Sequence, residues 1–546
     1  MRKILLVLFA VLNIHQTSFS QCSETSQPKV LLIGDSWAFF MSVDQTINNV
    51  FRKWGHSNYT YVTNTVVSEN GAETDDFLRQ DKQDEIVRLL NENPTIEVVH
   101  LSIGGNDVLG DWKVSFTQAQ TDSLKAAVEA RLLQIIDFIK SVKPGIRILW
   151  SGYVYPNFGE VIETSPLQNN HPFYGTWERM EFPTFIQLNT ILNDFSAEVE
   201  AYADTDPQVD FINCTGLMQY TFGQNTPLGV APGGSYAPGT VPLPAGDPNY
   251  PSPANSMRDY FLTKDCFHLS AKGYEDLIGY HTQKFYHKFL MDDLYLLAEN
   301  NTQTGTVTSL NNVYDSLLIG NNSDEQFATV LTFNTTTMPD TGVAKASIFL
   351  RRLSLEGTNP INNSLEVRIV NGMFGPTYNV DVTDFSATGN DSGTPCVFGS
   401  SNNNGDWIRL DLPETALPFI KNNEVTQFII TSPASNGKMA FYPTTDPDFA
   451  PVLNIKYGES PSSIANNTIK KVFKIYPNPT NSFITIETTE NIKVEKVEVI
   501  DLLGSLMLSE KFNTSLLNIS SLPNGTYFLN IYSETGQRFS ERILKF

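Results

Sequence analysis

Short, unbroken apolar runs alternate with longer helical patterns through the first half of the chain. Five apolar runs have the length and composition of buried strands, and they are Val30–Gly34, Tyr59–Val67, Ile96–Ile103, Arg147–Val154 and Val209–Cys214. The helical patterns that separate and follow them are Val43–Trp54, Thr74–Asn91, Gln118–Val142, Phe182–Ala203 and Ser270 to about Glu299. Such alternation predicts a parallel sheet covered by helices on both faces. The continuous apolar runs argue against a mixed α+β arrangement.

The pattern changes after Asn300, where helical periodicity stops. Short strand-like runs follow, divided by Asn, Gly, Asp and Pro, and they are Val307–Ile319, Phe327–Phe333, Ala344–Leu350, Ser364–Val370, Trp407–Leu412, Thr426–Thr431 and Val452–Tyr457. This spacing predicts an antiparallel β-sandwich over residues 305–458. A polar linker at 459–472 and a small third β-unit at 473–546 complete the predicted organisation.

Length and charge limit the class of protein. A chain of 546 residues is too long for a single core and predicts two to four domains. The net charge is −22, from 37 basic and 59 acidic residues. This balance argues against nucleic acid or an anionic membrane as the main partner.

Residues 1–20 have the pattern of a signal peptide. Arg2 and Lys3 supply the positive start, Ile4–Leu12 supply the apolar core, and Ser18-Phe19-Ser20 supplies a small-x-small cleavage site. The apolar core is too short to span a bilayer, and no later stretch is apolar enough for a membrane helix. We therefore expect an exported protein without a membrane span.

The chain has four cysteines, Cys22, Cys214, Cys266 and Cys396. Export makes disulfides possible, and four cysteines allow three complete pairings. Their spacing is not that of metal ligands, so neither a metal nor another cofactor is predicted. A bridge between Cys214 and Cys266 is one hypothesis, because it would brace the segment around residue 265.

Ser36 follows the first apolar run directly, after Gly34 and Asp35. Ligands of open α/β folds bind outside the carboxyl ends of the strands, which is where this serine is expected. The helical pattern that follows would leave the Ser36 N–H free to point at an oxyanion. The alternative is an ordinary capping residue with no chemical role.

A second candidate group, Gly104-Gly105-Asn106-Asp107, follows the strand Ile96–Ile103. That strand is expected beside the Ser36 strand, so Asn106 would emerge at the same sheet edge and could donate its side-chain N–H to an oxyanion. The same four residues also suit a plain turn.

Asp265 and His268 form the third candidate group, in a predicted tight turn before the last helix. A serine hydroxyl needs a base within hydrogen-bond reach, and the base needs an orienting carboxylate. Of the other histidines, His100 is expected in the core, and His56, His281 and His287 at solvated surface positions.

These blocks together resemble those of the SGNH (GDSL-type) hydrolases. The resemblance is carried by Gly34-Asp35-Ser36, the glycine of Asn70-Gly71-Ala72, Gly104-Gly105-Asn106-Asp107 and Asp265-x-x-His268, in the family's order. It implies a flavodoxin-like three-layer α/β/α hydrolase domain over residues 21–300. It also implies that Ser36 is the nucleophile, His268 the base and Asp265 its partner. The oxyanion hole would consist of the Ser36 N–H, the Gly71 N–H and the Asn106 side chain.

One residue departs from the family's pattern, and one other fold competes. Trp37 stands where a smaller aliphatic residue is common, which bears on the shape of the acyl site. The segment Gly34–Ala38 also approximates the Gly-x-Ser-x-Gly of α/β-hydrolases. A serine on the first strand, with only two residues between Asp265 and His268, counts against that fold.

The two C-terminal segments resemble accessory modules of secreted bacterial enzymes. Residues 305–458 resemble DNRLRE-type β-sandwich modules through Ser347-Ile348-Phe349-Leu350-Arg351-Arg352 and the strand Pro451–Ile455. Some such modules are thought to bind polysaccharide, and ligand binding and a spacer role are both open for this segment. Trp407, Tyr378 and Tyr442 could stack on sugar rings, but core packing is expected for most of them. Residues 473–546 resemble the type IX secretion system C-terminal sorting domain through Lys474–Thr480 and Leu522–Phe528. This resemblance implies a bacterium of the Bacteroidetes type and outer-membrane export.

The sequence therefore predicts a secreted or cell-surface serine esterase acting through a Ser-His-Asp triad on an acylated small molecule or polysaccharide. Deacetylation of a polysaccharide is the leading function, and its sugar part depends only on the accessory module and the secretion route. A lipase or lysophospholipase is the alternative enzyme. A surface adhesin with a degenerate hydrolase domain is the non-enzymatic alternative.

Overall fold

The computed structural model describes residues 22, 24–224, 235–339, 342–362, 365–432, 436–458, 473–488, 493–501, 506–512, 515–533 and 538–546. The chain divides into two compact units between residues 458 and 459. The predicted signal peptide and the predicted linker at 459–472 lie outside the described residues.

A five-stranded parallel sheet of order β2-β1-β3-β4-β5 organises the first half of the chain. Its strands are β1 (Gln27–Gly34), β2 (Tyr59–Val62), β3 (Val98–Ser102), β4 (Arg147–Ser151) and β5 (Val209–Ile212). The register of β1 on β3 pairs Val30 with Val98 and Gly34 with Ser102, so both strands end at the same edge. The apolar runs thus become central strands, as predicted.

Helices cover both faces of this sheet. The helices of this half of the chain are α1 (Ser36–Val43), α2 (Thr46–Lys53), α3 (Gln80–Glu92), α4 (Gly105–Asp111), α5 (Gln118–Val142), α6 (Phe158–Glu163), α7 (Tyr174–Arg179), α8 (Phe185–Ala203), α9 (Leu217–Phe222), α10 (Ala271–His281) and α11 (His287–Phe289). Short 3-10 turns lie at Thr74–Leu78, Gln168–Asn170, Ala254–Ser256, Pro360–Asn362, Val382–Ser386 and Leu417–Phe419.

Successive residues of β1 belong to two different cores. Val30 and Leu32 pack with α1, α2 and α10, whereas Leu31 and Ile33 pack with α3 and α5. Because side chains alternate across a strand, an unbroken apolar run is what a sheet buried on both faces requires. The predicted three-layer α/β/α domain is confirmed.

Two predictions near the end of this domain are wrong. Asp265 and His268 lie on a strand, β7 (Thr263–Leu269), which forms a hairpin with β6 (Met257–Tyr260). The helix predicted from Ser270 to about Glu299 ends at Phe289, after a π-helical segment at Thr282–Tyr286. The next strand, β8 (Leu294–Leu297), pairs with the following β-rich region, so tertiary pairing overrides the local helical pattern.

That region contains an antiparallel sheet system, as predicted. Its further strands are β9 (Gly305–Thr308), β10 (Val313–Tyr314), β11 (Leu317–Asn321), β12 (Gln326–Phe333), β13 (Val343–Gly357), β14 (Glu366–Asn371), β15 (Asp391–Gly393), β16 (Cys396–Gly399), β17 (Trp407–Asp411), β18 (Thr426–Thr431), β19 (Gly437–Phe441) and β20 (Val452–Tyr457). The long β13 pairs with β17 and β20 in its first half and with β19 in its second half. Its Ile348 packs with Phe428 and Leu453 in a buried core.

The second unit contains two small antiparallel sheets of order β21-β22-β25 and β24-β23-β26-β27. Their strands are β21 (Phe473–Tyr476), β22 (Phe483–Thr488), β23 (Val494–Ile500), β24 (Leu506–Lys511), β25 (Leu516–Asn518), β26 (Gly525–Ser533) and β27 (Arg538–Lys545). Val497, Leu529 and Ile543 lie in their shared core. None of the helices in the described ranges is long and apolar enough to cross a membrane.

The disulfide differs from the hypothesis. Cys22 is bonded to Cys396 on β16, whereas Cys214 and Cys266 are free and buried. Cys214 packs in the core beneath α10, and Cys266 packs in a separate cluster with Phe158. Because the two thiols belong to different clusters, no bridge joins them.

Three histidines predicted at the surface are buried. His56, His281 and His287 are 1%, 0% and 4% exposed. His56 and His287 lie where the α/β domain meets the sandwich, and the rings of both contact Phe349. Contact between the domains removes His56 and His287 from solvent, whereas His281 packs against the His100 ring within the α/β domain. A local sequence pattern reveals neither contact. His100 is in the core, as predicted.

Candidate active site

Ser36 begins α1 at the end of β1, and the close approach of β3 shapes this turn. A Cβ on Gly34 would lie 1.9 Å from the Ser102 carbonyl oxygen, and Gly34 has φ +151°. Only glycine fits such a backbone and such an approach. The Asp35 N–H donates to the same carbonyl at 2.9 Å, and an Asp35 carboxylate oxygen accepts from the Trp37 N–H at 2.9 Å. The serine is therefore held at the helix start by its neighbours.

Ser36, His268 and Asp265 form a continuous hydrogen-bonded chain. The distance from Ser36 Oγ to His268 Nε2 is 2.7 Å, and that from His268 Nδ1 to Asp265 Oδ2 is 2.8 Å. The other Asp265 oxygen accepts from the Phe267 and His268 N–H groups at 2.9 and 2.8 Å. Because Asp265 Oδ2 accepts a hydrogen bond from the Nδ1–H, Nε2 carries no proton and can accept from the serine hydroxyl.

The Gly71 and Asn106 blocks lie beside this chain. The segment 67–69 hydrogen-bonds to Gly34, and Gly71 follows it with φ +79°. Asn106 stands in the first turn of α4, and its Nδ2 donates to the Ala72 carbonyl at 2.9 Å. This bond links the Gly71 loop to the turn after β3. Both loops thus meet at the carboxyl edge of the sheet, next to Ser36.

Asp35 is a second buried carboxyl beside the serine, and the sequence did not single out its partner. The Tyr153 hydroxyl donates to Asp35 Oδ2 at 2.6 Å. Burial raises the pKa of Asp35 to about 6, while the hydrogen bonds from Tyr153 and Trp37 and the charge of His268 act in the opposite direction. Tyr153 follows β4 at the same sheet edge, a position that could have marked it as a candidate.

Asp107 accepts hydrogen bonds from two distant residues, Thr74 and Arg131, which the sequence analysis did not identify. It is 1% exposed, and it accepts from the Thr74 N–H and hydroxyl and from Arg131 Nη2, the last at 2.8 Å. These contacts anchor the turn that carries Asn106 to the segment after Gly71. A buried carboxylate with this many donors serves to hold the two loops together.

An apolar cavity of about 80 Å³ opens beside Ser36 and Asn106. Its apolar lining includes Val108, Leu109, Leu188, Ile191, Leu192 and Phe195. Trp37, the residue that departs from the family pattern, is 3% exposed and also lines the cavity. Its ring packs against those of Tyr153 and Tyr274, so it forms a fixed wall.

A metal centre was not predicted. Within the described ranges, no group of three or more His, Cys, Asp or Glu residues is placed to hold a metal ion. The aromatic residues named for the sandwich differ in exposure, with Trp407 at 0% and Tyr378 at 37%.

Comparisons with known proteins match two parts of the chain. Residues 32–275 match the GDSL-like Lipase/Acylhydrolase family, and residues 474–545 match the Secretion system C-terminal sorting domain. The ulvan lyase NLR42 of Nonlabens ulvanivorans is 32% identical over 73 residues, which are 13% of this chain and 14% of that protein. The chain thus matches about one seventh of that relative's length.

Several solved structures are similar to about half of the chain. The family 3 carbohydrate esterase of Clostridium thermocellum is 16% identical, with 48% of this chain and 99% of that chain covered at a TM-score of 0.27. A GDSL-like lipase from Bacteroides thetaiotaomicron is 14% identical, with 48% and 88% covered at a TM-score of 0.27.

Residues 32–275 are a GDSL-like lipase/acylhydrolase domain, and residues 474–545 are a type IX secretion C-terminal sorting domain.

Proposed function

We propose that this chain is an exported serine esterase that hydrolyses carboxylic esters with Ser36 as nucleophile, His268 as general base and Asp265 as its orienting carboxylate. The observation that carries the proposal is the chain of two short hydrogen bonds from Ser36 Oγ through His268 to Asp265. A nucleophile, a base and an orienting group within such reach are the minimum for acyl transfer.

In the first half of the reaction, Ser36 Oγ attacks the ester carbonyl carbon while its proton moves to His268 Nε2. The imidazolium is stabilised by Asp265, and the buried Asp35 carboxylate adds a second negative charge that acts on His268. The tetrahedral intermediate collapses, the bond to the alcohol oxygen breaks, and that oxygen takes the proton from Nε2. The acyl group remains on Ser36.

The oxyanion of the intermediate would be held by the Ser36 and Gly71 N–H groups and by Asn106. Asn106 has two N–H bonds, and its contact with Ala72 uses one of them, so the other can donate. Losing one such donor typically lowers the rate by about 10²–10³-fold. His268 Nε2 then takes a proton from a water that attacks the acyl carbon. The bond between that carbon and Ser36 Oγ breaks, the acyl group leaves as a carboxylic acid, and Oγ takes the proton back from Nε2.

The cavity beside Ser36 bears on the acyl group. About 10–15 Å³ of such space admits one water-sized group, so about 80 Å³ has room for roughly five to eight. An acetyl group offers a single methyl to this apolar wall and would leave most of it unfilled. The cavity therefore supports an acyl chain longer than acetyl, as in the lipase-type alternative, against the acetyl group of the leading prediction.

Aryl esters of increasing acyl length, given to wild type and to Ser36→Ala, test the proposal. We expect hydrolysis by the wild type alone, with kcat/KM higher for butyrate or hexanoate than for acetate. A maximum at acetate would favour the deacetylase. If the wild type hydrolyses every ester no faster than Ser36→Ala does, the proposal is overturned and the non-enzymatic adhesin is the remaining alternative.

A further inference from the structure

The hairpin that carries Asp265 and His268 ends in two exposed apolar residues. Tyr260 pairs with Thr263, so Phe261 and Leu262 alone form the turn between β6 and β7. Phe261 is 91% exposed and Leu262 is 76% exposed. Two-residue hairpin turns favour Gly, Asn and Asp.

The backbone at this tip is strained as well as exposed. Phe261 has φ +52°, a left-handed conformation that is an outlier for a bulky residue. A phenylalanine here therefore costs free energy through its backbone and leaves its ring in water. At 91% exposed, this ring adds little to the packing of the described residues and is available to contact another molecule.

Aromatic rings run without a gap from His268 to this tip. The ring centroids of His268 and Phe173 are 6.1 Å apart, those of Phe173 and Tyr260 are 5.9 Å apart, and those of Tyr260 and Phe261 are 5.2 Å apart. We call Phe173, Tyr260 and Phe261 the aromatic row. Phe173 is half-buried, whereas Tyr260 and Phe261 are exposed, so the row leads from the candidate active site to solvent.

A buried histidine holds the inner end of the row in place. His171 is 3% exposed, and its Nδ1 accepts from the Phe173 N–H at 3.2 Å. Its Nε2 therefore carries the proton and donates to the Lys264 carbonyl on β7 at 3.0 Å. Phe173 is thus fixed to the same strand that carries Asp265 and His268.

The position of the aromatic row beside His268 places it next to the alcohol half of a bound ester. In the proposed mechanism the alcohol oxygen takes its proton from His268 Nε2, so the alcohol must lie beside that ring. The acyl cavity lies on the other side of Phe267, whose ring lines the cavity and contacts the Phe173 ring at a centroid distance of 4.8 Å. The row therefore borders the alcohol side, and the cavity borders the acyl side.

We propose that the aromatic row is the alcohol-side subsite and that it binds the sugar rings of an acylated polysaccharide by stacking. This proposal rests on the proposed function. Flat aromatic faces pack against the C–H faces of pyranose rings, while the sugar hydroxyls stay in water. Neighbouring rings of the row are 5.9 and 5.2 Å apart between centroids, so an extended chain can meet more than one of them.

The local charges argue for a neutral partner over an anionic lipid surface. Lys264 pairs with Asp259 at 2.6 Å, and Arg258 pairs with Asp44. The hairpin thus offers no free cluster of cations among its described residues, which binding to an anionic membrane would need. The chain as a whole carries a net charge of −22.

Phe261→Gly is the test variant, because glycine removes the ring and suits the left-handed backbone. The probes are acetylated xylan and p-nitrophenyl acetate, which share an acyl group and differ in the alcohol. We expect the ratio of kcat/KM for the polymer to that for the small ester to fall about tenfold. The melting temperature should stay the same or rise.

Phe182→Gly is the matched control, since Phe182 is also exposed, at 44%, with φ +53°, but its ring contacts Tyr174 and Trp177. Its ratio should match that of the wild type. An unchanged ratio in Phe261→Gly would overturn the proposal. The proposal would also be overturned if the wild type bound phosphatidylcholine vesicles and Phe261→Gly did not. That result would show that the row binds a lipid surface.

Binding to the same polymer, measured in a Ser36→Ala background, separates this proposal from the proposed function. Retention of Ser36→Ala on acetylated xylan, weakened about tenfold by adding Phe261→Gly, supports the row even if the wild type hydrolyses no ester. Equal retention of both variants contradicts the row whatever the hydrolysis assays show.

Discussion

The molecule buries histidines in two regions and uses them differently. His268 lies between a carboxylate and a serine hydroxyl at the edge of the sheet. His56 and His287 lie where the α/β domain meets the sandwich, with 3.1 Å between His56 Nε2 and His287 Nδ1. We call this second region the junction. A histidine between an acid and a hydroxyl can relay a proton, whereas a histidine among rings serves as a packing group.

The electrostatics of the junction fit that division. Burial lowers the pKa of His287 to about 3, and burial together with His287 and Arg409 lowers the pKa of His56. Both rings are therefore neutral at pH 7. His287 also packs against the Trp407 ring at a centroid distance of 4.4 Å. Burial therefore disfavours the protonated form of a histidine, and a neighbouring carboxylate is needed to stabilise the imidazolium that proton transfer requires.

The largest expected effect is on kcat, and it appears when one histidine of each region is substituted. His268→Ala should lower kcat for an aryl ester by about 10⁴-fold or more, because the serine loses its base. His287→Gln should keep kcat near that of the wild type at a temperature where it is folded. Steady-state kinetics of both purified variants check this. Equal losses in the two variants would break the comparison.

The next effect concerns the stability of the junction. Trp407 is fully buried and stacks on Trp54 at a centroid distance of 5.7 Å. Trp407→Ala should lower the free energy of unfolding by about 3–5 kcal/mol, because it leaves a cavity between the domains. Denaturant unfolding measures this loss. The exposed Tyr378→Ala on the same sandwich is the control and should cost less than about 1 kcal/mol.

The pH dependence of stability sharpens the comparison further. The folded-state pKa of His287 lies below its usual value of 6.5, so between about pH 3 and 6.5 the unfolded state binds more protons and stability falls with acidity. His287→Gln removes this contribution. The stability difference between wild type and His287→Gln should therefore shrink by about 1.4 kcal/mol per pH unit below 6.5.

The stability difference between wild type and His287→Gln is the quantity to measure, because buried carboxyls with raised pKa values change the stability with pH in the opposite direction. The pKa of Asp35 is raised to about 6, so its contribution is present at low pH and is lost as pH rises from about 4 to 6. Asp35 is present in both proteins and cancels. A stability difference that does not change with pH would contradict the neutral state of His287.

The smallest effect lies within the candidate active site. Tyr153→Phe removes the hydroxyl that donates to Asp35, so the pKa of Asp35 should rise further above 6. The acid limb of the kcat/KM profile should then move upward by less than about one pH unit, with the plateau at high pH retained. A pH profile identical to that of the wild type would contradict the claim that the charge of Asp35 acts on His268.

The sequence predicted those features that lie in local pattern. The unbroken run Val30–Gly34 predicted a strand buried on both faces, and the four blocks placed Ser36, Asn106, Asp265 and His268 at one edge of the sheet. The GDSL-type hydrolase domain and the sorting domain are confirmed. The catalytic roles of the site residues and the DNRLRE resemblance of residues 305–458 stay predictions.

Features that depend on contacts between distant segments were missed. The partner of Asp35, Tyr153, lies 118 residues away. Cys22 and Cys396 are separated by 374 residues, and no spacing rule selects that pair among the alternatives. His56 and His287 follow polar patterns that favour solvent, and only the docking of the sandwich buries them.

Intact-mass analysis after treatment with a fluorophosphonate ester tests the central claim most directly, because this reagent adds covalently only to an activated serine. We expect one adduct per wild-type chain, mapped to Ser36 by peptide mass, no adduct on Ser36→Ala, and labelling of His268→Ala slowed by at least about 10³-fold. Labelling of Ser36→Ala at the wild-type rate, or an adduct mapped to another residue, would contradict the account.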